Sequence, residues 1–135
     1  MDTGGRIPKI YYFIFQYILV GFFILFLLSV NQIHAATNLN GYPSGAGGLM
    51  SLTNSPYIVT GDIVIKNGNT LTIEEGVVVK MQSGRSIILM NGNIIIGNAS
   101  STSPVVFTSE KDDTHGGDTN SDGDATTPAV GDWKK

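Results

Sequence analysis

The chain has 135 residues, 8 Lys and Arg against 11 Asp and Glu, 17 Gly and no Cys. That length allows at most one ordinary domain, and a formal charge of −3 lacks the basic stripe a nucleic-acid binder needs, so no nucleic-acid partner is expected. Without cysteine, disulfide scaffolds, thiolate metal sites and Cys nucleophiles are excluded.

From Ile10 to Val30, 18 of 21 residues are apolar, and Arg6 and Lys9 precede them. A positive flank, an apolar core and the small residues Ala35 and Ala36 make a secretory signal. The run also reaches the ~20 residues that span a bilayer. Cuts after Ala35 or Ala36 would place Ile33 or His34, neither small, at the third position before the break. Residues 1–36 are therefore expected to be a signal peptide or a retained anchor helix, touching the membrane only through residues 10–30 if uncleaved. Either way the positive flank stays inside and residues 37–135 are exported, to be secreted or held at the cell surface.

Residues 37–56 read as a loose cap or linker, and residues 57–109 as a repeat of short β-branched runs between Gly and Asn. The runs are Tyr57–Val59, Ile63–Ile65, Leu71–Ile73, Val77–Val79, Ile87–Leu89, Ile94–Ile96 and Val105–Phe107. Ile63-Val64-Ile65-Lys66-Asn67-Gly68-Asn69 lies over Ile87-Ile88-Leu89-Met90-Asn91-Gly92-Asn93 at an offset of 24. Skipping Thr70 then aligns Leu71–Ile73 with Ile94–Ile96, and Ser55–Thr60 matches Ser103–Thr108 at 48, twice that period. A period near 24 with three short strands predicts an all-β solenoid, a parallel β-helix whose equivalent runs pair in parallel. Asn67 over Asn91 suits a left-handed corner, and stacked amides there would form a ladder. A sandwich of Asn-Gly hairpins is the competing reading, but it leaves the period unexplained.

Ser55–Thr60, Gly61-Asp62-Ile63, Leu71–Lys80, Val106–Ser109 and Gly131-Asp132-Trp133 resemble the opening coils of secreted bacterial right-handed parallel β-helix proteins, pectate-lyase-like in fold. Those proteins usually carry Pro where Glu75 stands and add an apolar strand after Gly-Asp-Trp. The resemblance thus implies an amino-terminal fragment, with residues 131–135 starting a further, truncated coil. It also implies that an enzyme of this fold would use an Arg base beside Asp-bound calcium. Arg85 has no matching Asp cluster on neighbouring runs, and Asp62 stands alone. Arg85, Lys66 and Lys80 therefore read as a solvated face.

Glu74 and Glu75 are adjacent, so they point to opposite sides of an extended chain and make a poor acid/base pair. They read as a solvated corner, and no catalytic residue is expected. If Leu71 and Ile73 face inward, Thr72, Ile95, Val64, Ile88, Val78 and Val106 face out. Such an exterior needs cover from later coils, a partner or glycan, unless the register differs locally.

Residues 110–130 form an acidic loop, whose first fifteen residues hold six acids against Lys111. Asp118, Asn120, Asp122 and Gly123 match the first half of a Ca²⁺ loop, with alternate oxygens and then a turn glycine. Ala129 stands where an EF-hand needs its bidentate Glu, so an EF-hand is excluded. A looser Ca²⁺ cage of Asp118, Asn120, Asp122 and Asp124, with Asp112 or Asp113 in reserve, remains open beside a plain solvated loop. His115 reads as solvated, since a lone His makes no transition-metal site. Trp133 reads as packing across the coil end or as a sugar platform.

The sequence thus points to an exported, non-catalytic β-helix scaffold that binds an extracellular polysaccharide or a surface protein. The alternative is part of a polysaccharide lyase or glycoside hydrolase whose catalytic coils lie elsewhere. Amino-terminal sequencing of exported protein is expected to begin after Ala35 or Ala36; a start before Ile10 would establish the anchor instead.

Overall fold

The computed structural model describes residues 35–43 and 48–134. The expected signal or anchor lies outside the described residues, apart from Ala35 and Ala36 at its end. Among the described residues no helix is long and apolar enough to cross a membrane.

Among the described residues nine strands follow one another: β1 (Thr37–Asn40), β2 (Leu49–Met50), β3 (Tyr57–Gly61), β4 (Ile63–Lys66), β5 (Thr70–Ile73), β6 (Val78–Met81), β7 (Ile87–Met90), β8 (Asn93–Ile96) and β9 (Val106–Ser109). A 3-10 turn, Leu52–Asn54, precedes β3. The strands stack into three parallel sheets: β1-β3-β6-β9 (sheet A), β2-β5-β8 (sheet B) and β4-β7 (sheet C). From β3 on the chain visits A, C and B in turn, so each circuit is one coil. All seven runs expected from the sequence fall on strands, with Val77 and Val105 lying just before β6 and β9. Because every pairing is parallel, hairpins do not build this core.

Alternation along each strand decides what lies inside. Ile63, Ile65, Leu71, Ile73, Val77 and Val79 are fully buried, while Val64, Thr72 and Val78 between them are only partly covered. Met50, Tyr57, Val59 and Met81 complete the core, each worth ~1.5–3 kcal/mol on full burial. In the last coil the inward row is only partly covered: Ile87, Ile94 and Val105 are half-buried, whereas Leu89, Ile96 and Phe107 are 50%, 48% and 39% exposed. The latter three pair with Ile65, Ile73 and Val79, and the described residues place no strand over them.

Three expectations are corrected. Residues 37–56 are not a loose cap, because β1 pairs with β3 and β2 with β5, making them the first coil. The 48-residue match is not the register: Tyr57 pairs with Val79, which pairs with Phe107, not with Val105. A turn closed between Ser100 and Ser103 lengthens that corner, and an even slip of two keeps every side chain on its face. The one-residue slip falls before Thr70, since Lys66 pairs with Met90 but Thr70 with Asn93 and Leu71 with Ile94.

The Asn corner is as expected in its backbone. Asn67 and Asn91 have φ of 59° and 60°. The corner bonds are main-chain ones, Gly68 N–H to the Asn91 carbonyl at 2.7 Å and Asn93 N–H to the Asn69 carbonyl at 3.0 Å. The two glycines serve different ends. Gly68 has φ +74° with open space around it, whereas a Cβ on Gly92 would lie 2.6 Å from the Ile65 carbonyl oxygen. Gly92 is therefore required by contact between coils. Urea unfolding is expected to show Gly92→Ala losing about 2–3 kcal/mol and Gly68→Ala only about 1 kcal/mol; the reverse order would refute this account of the corner.

Candidate functional site

Chemistry concentrates where the chain leaves β9. Ile58, Lys80 and Thr108 form the outward row of sheet A, yet they are 6%, 0% and 8% exposed. The segment after β9 covers them. Asp112 anchors it: its carboxylate accepts from Thr108 Oγ1 at 2.7 Å, Thr114 N–H at 3.0 Å, Thr114 Oγ1 at 2.5 Å and His115 Nδ1 at 2.8 Å. Burial raises the Asp112 carboxyl, but the hydrogen bonds from Thr114, Thr108 and His115 outweigh it and hold the group well below the ordinary carboxylate range.

Lys80 donates its Nζ to the Gly117 carbonyl. Burial lowers its pKa, and Asp113, Asp112 and Asp118 oppose that shift. The sequence reading of Lys80 as solvated is thus corrected, because its outward position on sheet A lies beneath the acidic segment. Only glycine fits where that segment crosses the sheet. Gly116 has φ +76°, and a Cβ there would lie 2.9 Å from Pro56 Cβ.

The loop then folds on itself. Asp118 accepts the N–H groups of Asp122 at 3.2 Å and Gly123 at 3.0 Å. The Asn120 amide donates to Asp122 Oδ2 at 2.8 Å, leaving its own carbonyl oxygen free. Asp113, Asp118 and Asp122 each bring one carboxylate oxygen within 4.8 Å of the others. Three side-chain oxygens, Asp113 Oδ1, Asn120 Oδ1 and Asp122 Oδ1, are buried with no donor. Desolvation, then Asp118 and Asp122, push the Asp113 carboxyl up, against the pull of Lys80. Ca²⁺ ligands stand 2.3–2.6 Å from the ion, so oxygens around one ion lie at most about 5 Å apart, which this spread satisfies. Of the four residues expected from the sequence, the structure brings together Asp118, Asn120 and Asp122. Asp124 is exposed outside the triad and Asp113 fills it, while Asp112 is engaged elsewhere.

The model of the pectate-lyase-like β-helix domain matches residues 49–121. The chain belongs to that family. No curated protein and no solved structure matches it. The matched stretch of the pectate-lyase-like β-helix domain runs from β2 through Asp113, Asp118 and Asn120, so it covers the coils and most of the candidate cage.

Several other ionisable groups hold structure. Glu74, read as solvated, is exposed, but its Oε2 accepts the Leu52 N–H at 2.8 Å. Asp62 accepts the Ser86 N–H at 3.0 Å, tying one coil to the next. Asp132 accepts Lys111 Nζ and the Ala129 N–H, both at 2.8 Å. Trp133 is partly buried against the core, and Lys134 N–H donates to the Arg85 carbonyl at 3.0 Å.

Asp132 gives a test by pH. The hydrogen bond from Lys111, with those from Ala129 and Ser109, pulls its carboxyl down to about 2. A carboxyl depressed in the folded state stabilises above its unfolded pKa near 4 and loses that contribution as pH falls toward 2. Wild type is expected to melt higher than Asp132→Asn at pH 6, with the gap closing between pH 4 and pH 2. A gap independent of pH would refute the assignment.

Proposed function

We propose that the chain is an exported, non-catalytic β-helix scaffold whose acidic loop is ordered by Ca²⁺ and which carries a binding surface for an extracellular polysaccharide or surface protein. The observations that carry the calcium reading are the convergent carboxylates of Asp113, Asp118 and Asp122 and the buried, donorless oxygens on Asp113, Asn120 and Asp122. Left without a cation, the buried oxygens lack hydrogen bonding and the three carboxylates repel one another. A hard cation removes both penalties. Asp118, Asn120, Asp122 and Asp113 supply the side-chain oxygens, and Asp124 remains at the rim. Calcium suits a hard, all-oxygen donor set, and millimolar extracellular concentrations suit weak sites of this kind.

The scaffold part of the reading is supported by how the charged groups are engaged. Glu74, Asp62, Asp112 and Asp132 accept from backbone or neighbouring side chains, and Lys80 is enclosed. Groups fixed this way hold coils together. Export rests on the positive flank and apolar run of residues 1–36.

The second reading, a polysaccharide lyase or hydrolase, is favoured by the pectate-lyase description of the family. The two part on simple assays. Incubated with pectate, the full chain is expected to release no unsaturated or reducing ends; release would overturn the scaffold reading. Titrated with CaCl₂ in a calorimeter, the full chain is expected to bind with a Kd of roughly 10⁻⁴–10⁻³ M, and Asp118→Ala/Asp122→Ala to give no heat. A silent wild type at several millimolar Ca²⁺, or an equally active double variant, would leave only a solvated loop.

A further inference from the structure

We propose that residues 112–119 form a strap that closes over the outer face of sheet A, shuts Lys80 away from solvent, and is held closed by the bound cation. The control by cation rests on the calcium reading above; the strap itself rests on Lys80.

Outward-facing residues show what the strap does. On sheets B and C the last-coil outward residues Ile95 and Ile88 are 53% and 38% exposed. On sheet A, Lys80, a residue type rarely buried, has no exposure at all. Three strands are bridged by what covers it. Gly116 sits on Pro56 at the entrance of β3, Gly117 takes the ammonium of β6, and Asp112 takes the hydroxyl of Thr108 on β9. A buried ammonium requires such partners, so the strap and Lys80 hold or release together.

Charge sets the balance between the closed and open strap. The segment that closes over Lys80 runs directly into Asp113, Asp118 and Asp122, whose carboxylates converge. One ammonium cannot neutralise three carboxylates, so closing the strap without a cation crowds like charge that opening would disperse. A divalent cation between those oxygens reverses the sign, turning the crowded acids into the fastening. The carboxylates of the cage are thus the catch of the strap.

Lys80 reports the state directly, because an amine-reactive reagent reaches it only when the strap is open. Lys66, exposed at the end of β4, serves as the reference in the same molecule. In the full chain with several millimolar Ca²⁺, mass spectrometry is expected to find Lys80 labelled at least about a hundredfold more slowly than Lys66. Chelation of Ca²⁺ should raise the Lys80 rate about tenfold and leave Lys66 unchanged. Gly116→Val, which cannot seat on Pro56, should label Lys80 near the Lys66 rate with or without Ca²⁺, its strand circular dichroism retained. Equal rates for Lys80 and Lys66 in Ca²⁺ would overturn the strap. Slow, calcium-independent labelling in a protein that shows calcium heat would overturn its control by cation. Absence of calcium heat would overturn the calcium reading and the control with it, while the ratio of Lys80 to Lys66 still decides the strap.

Discussion

Everything in this molecule depends on one constraint: each coil must meet the backbone donors and acceptors of the coil beside it. Parallel strands cannot satisfy themselves locally, so equivalent positions have to return over one another with little error. The spacing that achieves this is not constant. Sheet A repeats after 20, 22 and 28 residues (Thr37 to Tyr57, Tyr57 to Val79, Val79 to Phe107), whereas sheet C repeats after 24 (Ile63 to Ile87). The strands hold register and the corners absorb the difference. Corners therefore carry the specialised residues: Asn67 and Asn91 at left-handed φ, and Gly92 where no Cβ fits.

The same logic explains where a long insertion is allowed. After β9 the chain leaves the stack, and by Asp132 it lies beside the preceding corner again, Gly84 N–H donating to the Asp132 carbonyl at 3.2 Å. The excursion between them does not disturb the ladder, so its composition is free to be acidic. What ties it down is side-chain chemistry on the outer face of sheet A, at Thr108 and Lys80. The coils supply a rigid floor, and the loop supplies the oxygens.

Much of this was legible in the residues because β-branched runs and period-two alternation report burial directly. The seven runs, the pairing of Ile63 with Ile87 and of Leu71 with Ile94, and the Asn corner all follow from local pattern. The first coil was not legible, since Thr37-Asn38-Leu39-Asn40 is polar and only pairing with β3 makes it a strand. Lys80 was misread for a related reason. Alternation places it outward, and outward ordinarily means solvated; that a distant segment returns to cover it is tertiary information. Within the loop, the alternate oxygens of Asp118, Asn120 and Asp122 were visible as spacing. Asp113, five residues before Asp118, stood only in reserve with Asp112, because which of the two reaches the cluster is set by the fold.

A buried lysine is a poor way to add stability, since desolvating an ammonium costs several kcal/mol that its partners return only in part. Its effect is on specificity. An apolar residue at position 80 would accept any covering segment of suitable shape. The ammonium accepts only one that brings a carbonyl and negative charge to one point. Gly117 brings the carbonyl, and Asp112, Asp113 and Asp118 bring the charge. Because Gly116 must lie flat on Pro56 for that carbonyl to arrive, the loop has one seating on the sheet. That seating sets where Asp113 stands relative to Asp118 and Asp122. The spacing of these three carboxylates is thus fixed from beneath, by a cation already built into the strand.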